Sequence, residues 1–105
     1  MAYYLVKAEI DENLKPELKE MLDDGEIKVM KPFGNALHFS LTNARVTDDN
    51  QIIWEEEDYC SPPLAMEREA VLDKYFNDLD IERVEKGEGW SKIDNRPFLW
   101  ESKEK

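Results

Sequence analysis

Ser61-Pro62-Pro63 most constrains how this chain can fold. Two successive residues without a backbone N–H cannot sit inside a sheet ladder, whereas serine followed by proline suits a capped first helical turn. The residues before it, Trp54-Glu55-Glu56-Glu57-Asp58-Tyr59-Cys60, read as a strand loaded with carboxylates. Residues 54–68 are therefore read as a junction where a strand becomes the longest helix, and they hold the only cysteine.

Around this junction, the hydrophobic periodicity divides the rest of the chain. Tyr3 to Ile10 alternates as a strand, with Val6, Ala8 and Ile10 expected toward the core. Leu14, Leu18, Met21 and Leu22 recur at helical spacing before Gly25, so helix one is expected over residues 14–24, with Pro16 in its first turn and Gly25 as the left-handed residue that ends it. Glu26 to Lys31 alternates again, and Pro32-Phe33-Gly34-Asn35 reads as a tight connection into a strand over Ala36 to Val46. There Leu37, Phe39 and Leu41 share one parity while Ala44 and Val46 carry the other, a slip that a bulge near Thr42 and Asn43 would absorb. Gln51 to Tyr59 is the next strand. Helix two runs from the prolines to about Asn77 or Asp78, Ile81 to Glu85 is a last short strand, and Trp90 to Trp100 is an irregular aromatic tail.

The expected fold is α+β: a mostly antiparallel sheet of about five strands with two helices on one face, in the order βαβββαβ, a variant of the ferredoxin-like arrangement. A chain of 105 residues, 41% hydrophobic, suits a single domain over 1–100 followed by a charged tail over 101–105. No run approaches the roughly 18 apolar residues of a membrane span, and the N-terminus lacks a signal-peptide pattern, so a cytoplasmic protein is expected without membrane contact. The net charge of −11 repels phosphate backbones, which argues against nucleic-acid binding and leaves a basic protein as a possible partner.

Several groups carry potential chemistry. Leu64, Val71, Leu72, Tyr75 and Leu79 gather on one face of helix two, and Arg68 falls in the middle of that stripe. A guanidinium keeps its charge at neutral pH, so it needs a carboxylate there, which Glu55 or Glu57 would supply as a strand-to-helix salt bridge. The same groups outline a candidate ligand pocket of Trp54, Glu55, Glu57, Cys60, Arg68 and His38. Cys60 sits where a helix N-terminus favours a thiolate, but the neighbouring acids oppose it. No cofactor motif is present. Asp48, Asp49, Glu56 and Asp58 could hold calcium or magnesium weakly, although adjacent acids on a strand point to opposite faces.

Besides weak calcium or magnesium binding, two classes of function follow from these features. The first is a non-enzymatic interaction or regulatory module acting as a homodimer, because two helices leave one sheet face for the tail or a second subunit to cover. The second is a small-ligand-binding or enzymatic domain built on the pocket above.

Overall fold

The computed structural model describes residues 2–58 and 61–100. Its sheet contains four strands, β1 (Ala2–Ile10), β2 (Arg45–Val46), β3 (Ile52–Asp58) and β4 (Phe76–Val84), ordered β2-β3-β1-β4 with every neighbouring pair antiparallel. Four helices accompany it: α1 (Lys15–Asp24), α2 (Gly34–Thr42), α3 in contiguous pieces (Ala65–Glu67, Arg68–Leu72, Asp73–Tyr75), and α4 (Glu88–Ile93). The α+β class and the antiparallel sheet are as expected; the strand count and element order are not.

Side-chain alternation along β1 and β3 gives the sheet two different faces. On one, Val6 opposes Trp54 and Ala8 opposes Ile52, and all four are buried in a cluster with Leu18 and Leu22 of α1 and Val71, Leu72 and Tyr75 of α3. The Trp54 and Phe76 rings meet within it at 5.1 Å between centres, their planes tilted by 52°. The other face is smaller: Ile53, Val84 and Ile93 are buried outside that cluster, and α4 packs on β3 from this side. The tail beyond it also docks on its own chain. Leu99 N–H donates to the Ala44 carbonyl at 2.8 Å, and the Trp100 indole N–H donates to the Leu41 carbonyl at 2.8 Å.

The largest departure from expectation is at residues 26–46. Glu26 to Lys31 forms turns, not a strand, and Ala36 to Val46 is mostly α2. The buried residues Gly34, Leu37, Leu41 and Ala44 recur at intervals of three and four, so the parity slip was a helical period and no bulge is needed. Helix α2 takes the place of the missing strand, lying beside the part of β3 that the two-residue β2 leaves unpaired. The Ser40 hydroxyl donates to the Glu55 carbonyl at 2.7 Å, meeting on this edge a group that a further strand would have met.

Helix α3 departs more subtly. Its middle, Arg68–Leu72, is π-helical, and Asp73 N–H donates to the Arg68 carbonyl five residues back. The wider turn slows rotation per residue, so Val71, Leu72 and Tyr75 line up with Glu67 and not with Arg68. β4 then begins at Phe76 directly, five residues earlier than the sequence pattern suggested. Among the described residues, no helix is long and apolar enough to cross a membrane.

Gly34 is where α2 touches the preceding turn. A Cβ there would lie 2.5 Å from the Ile27 carbonyl oxygen and 2.6 Å from that of Lys28, both backbone atoms that cannot swing aside. Gly34→Ala should therefore destabilise the protein by about 1–3 kcal/mol, the usual cost of overpacking, read as a lowered midpoint in urea unfolding.

Candidate functional site

β3 is the source of the site because its acids alternate between the two faces. Glu55 (4% exposed), Glu56 (0%) and Asp58 (3%) are all buried, and α3 adds Glu67 (1%). Buried carboxylates need donors, counter-charges or protons, and the four are supplied differently.

Glu55 receives donors. Its carboxylate accepts the backbone N–H groups of Gly87 and Gly89, each at 2.8 Å, and of Trp90 at 3.3 Å, which caps the start of α4. At the other end of that six-residue helix, Arg45 Nη1 donates to the carbonyls of Ile93 (3.3 Å), Asp94 (2.8 Å) and Arg96 (2.7 Å), while its guanidinium lies 3.9 Å from the centre of the Phe98 ring. An anion at the N-terminus and a cation at the C-terminus complement the helix dipole, and a helix this short would not hold alone.

Glu56, Asp58 and Glu67 form a cluster facing the core side. Asp58 Oδ2 accepts the Leu64 N–H at 2.6 Å, fixing the left-handed residue (φ 64°) that precedes α3. Glu56 Oε1 accepts the Trp54 indole N–H at 3.1 Å, but its Oε2 is buried with no hydrogen-bond partner. Burial raises the Glu56 carboxyl well above its ordinary value, with Glu67 and then Asp58 adding repulsion. Burial also pushes Glu67 up to about 7; a backbone hydrogen bond opposes the shift, and the charge and hydrogen bond of Asp58 add to it. Both shifts favour the protonated carboxyl at Glu56 and Glu67.

Beside this cluster lies a groove of 740 Å³. Glu55, Glu57 and Asp58 of β3 and Glu67 of α3 give it an acidic side. Phe33, Phe39, Met66 and Trp90 give it an apolar one, with Phe39 58% exposed and meeting Trp90 edge-on at 6.1 Å. Its volume is within the usual range for small-molecule sites.

The residues singled out from the sequence are only partly brought together. Glu55 and Glu57 line the groove, whereas Trp54 is wholly buried on the opposite sheet face. Arg68 faces solvent and pairs at 3.3 Å with Asp73, not with Glu55 or Glu57, because the π turn rotates it off the buried stripe. His38 lies two residues before Ser40 on α2, hence on the other side of that helix from the groove. Cys60 lies outside the described residues.

Of the four acids considered for calcium or magnesium, Asp48 and Asp49 are exposed in the turn before β3, with Asp48 paired to Arg96 at 2.6 Å. Glu56 and Asp58 are buried toward the strand's opposite end. The four do not converge, and among the described residues no group of three or more potential ligands is placed to hold a metal ion.

Sequence reasoning missed Glu67, the α4 cradle and the aromatic wall. Glu67 was hidden by the π turn, which no local residue type announces. Phe33 and Phe39 were hidden by reading α2 as a strand. Compared with known protein families, curated proteins and solved structures, the chain matches none.

The raised carboxyls fix a direction for stability against pH. Between about pH 4.5 and 7 the folded protein binds more protons than the unfolded chain, so stability from this cluster is fully present below about pH 4.5 and declines as pH rises through 7. Glu17 acts oppositely: its hydrogen bond from Lys74 lowers its carboxyl, so its contribution is lost only as pH falls below about 4.5. Urea unfolding should accordingly give lower stability at pH 8 than at pH 5. Glu67→Gln should flatten this decline and raise stability at pH 8 by about 1–3 kcal/mol.

Proposed function

We propose that this protein is a non-enzymatic binding module whose groove takes a small organic cation with an aromatic or otherwise apolar body. The observation that carries this reading is the pairing of acidic Glu57, Asp58 and Glu67 with the apolar Phe33, Phe39, Met66 and Trp90 around one groove of 740 Å³. An amphiphilic amine matches both halves, and the −11 net charge steers cations toward it.

Binding is preferred to catalysis because the Ser40 and Glu55 side chains beside the groove already have backbone partners. The Ser40 hydroxyl donates to a backbone carbonyl, and the Glu55 carboxylate accepts three backbone N–H groups. Neither is poised as a nucleophile or base. A self-associating module has less support, since Leu99 and Trp100 are engaged by Ala44 and Leu41 of the same chain.

The test is an NMR titration with three probes: tryptamine, indole-3-acetate, which keeps the ring but reverses the charge, and an amidated lysine tripeptide. Tryptamine should shift the groove resonances, Phe39 and Trp90 foremost, and bind about tenfold or more tighter than indole-3-acetate, as expected when a partly desolvated charge pair is gained in one case and a repulsion in the other. Equal binding of the two, or a tighter lysine peptide, would contradict the reading.

A further inference from the structure

We propose that the free edge of β4 is a docking surface for an extended, basic segment of another protein, in which lysine or arginine alternates with β-branched apolar residues. The segment adds one strand to the sheet. This surface is separate from the groove and does not depend on it.

The two edges of the sheet are finished differently. At one, β2 is two residues long and the chain's own tail covers it: Arg45 bridges to Phe98, and Val46 N–H donates to the Pro97 carbonyl at 2.9 Å. At the other, β4 is nine residues long and pairs with β1 on its inner side. Among the described residues, no backbone group of residues 77–83 bonds to a turn, loop or tail. Trp100, the last described residue, lies against α2 beside the opposite edge. An edge strand leaves alternate N–H and C=O groups without ladder partners, and an added strand meets them.

The side chains of β4 decide which strand fits. Ile81 opposes Val6 on the core face, whereas Asp80 opposes Lys7 and Glu82 opposes Leu5 on the other. Leu79 and Ile81 are only half-buried at the margin of the main core, so a further strand would cover apolar surface there. Asp80 and Glu82 are exposed. Lys92 of α4 is 3.9 Å from Glu82, an exposed pair of little worth, and among the described residues no ion pair joins Lys7 to Asp80. On the core face the Arg83 guanidinium lies 5.9 Å from the Tyr4 ring centre and would repel a lysine placed beside it. The partner's basic residues therefore belong opposite Asp80 and Glu82, with an apolar residue between them opposite Ile81. The net charge of −11 steers such a segment inward.

A second copy of this chain is the wrong occupant. Two β4 strands paired antiparallel about a two-fold axis keep each sheet face continuous, so opposed residues share a face. An axis at Asp80 opposes the two Asp80 side chains, one at Ile81 opposes Asp80 to Glu82, and one at Glu82 opposes the two Glu82 side chains. Like charges directly opposite are destabilising. Charges and bulges commonly guard an exposed edge. Here the bulge, with Asp78 at φ 58°, sits toward one end, and residues 80–84 keep regular register with β1. A guard of one sign turns away a second copy and admits a basic strand.

The test is an NMR titration of the full chain with acetyl-Lys-Val-Lys-Val-Lys-amide. Amide shifts should concentrate at residues 79–84, with slowed hydrogen exchange there. Acetyl-Lys-Pro-Lys-Pro-Lys-amide carries the same charge but lacks the valine N–H groups and resists strand pairing, so it should bind about tenfold weaker. Asp80→Asn combined with Glu82→Gln should weaken the valine peptide about five- to tenfold, with circular dichroism and the tryptamine shifts unchanged. Absence of β4 shifts at millimolar peptide, equal binding of the two peptides, or undiminished binding by the double variant would overturn the proposal. So would a dimer of the unliganded chain whose β4 amides are the ones protected.

Discussion

The Glu55 carboxylate, accepting the first N–H groups of α4, is the interaction on which the rest of the arrangement depends. Without it a six-residue helix has no reason to form, since nucleation costs more than so few internal hydrogen bonds return. With it, Trp90 is placed against Phe39, Ile93 meets the smaller sheet face, and Arg45 closes the helix from the opposite end. Gly89 allows the approach: a Cβ there would come within 2.9 Å of Glu55 Oε1 and 3.1 Å of Leu5 Cδ1. One acidic side chain on β3 thus sets one wall of the groove.

The same strand sets the opposite wall by the elementary alternation of β structure. Glu55 goes to α4, and its neighbours Glu56 and Asp58 go to the other face, where Leu64 and Trp54 supply only neutral donors. The two halves of an acidic run therefore meet different fates. One carboxylate is fully supplied and acts as a structural fastener; Glu56 keeps an oxygen without a donor, and burial raises its carboxyl well above the ordinary value. The difference in hydrogen bonding, not in residue type, separates scaffold from site.

Much of the scaffold was legible because local chemistry and global fold agree there. β1, α1 with its Gly25 terminator, and β3 appear close to their expected places, whereas the helix expected to open at the prolines with Ser61 as its cap begins at Ala65, after the left-handed Leu64. Failures arose where two periods competed over a short span. Leu37, Phe39 and Leu41 fit a strand, but Gly34, Leu37, Leu41 and Ala44 fit a helix, and only the tertiary environment beside β3 decides between them. Arg68 failed for a different reason. An ideal wheel assumes a constant turn, and the π segment over Arg68–Leu72 moves Glu67 into the position assigned to the arginine. Both errors hid the site, since α2 supplies its aromatic rim and α3 its buried acid.

The central claim is that burial and mutual repulsion hold the Glu56 and Glu67 carboxyls above their ordinary values, with one Glu56 oxygen left without a donor. Carboxyl ¹³C titration by NMR on the ligand-free protein reads this most directly. The account predicts that Glu67 titrates near 7 and Glu56 well above the range of ordinary carboxylates, with each curve distorted by the other. If Glu56 and Glu67 instead titrate independently near or below the ordinary glutamate value of about 4–4.5, both are ionised at neutrality and the account is wrong.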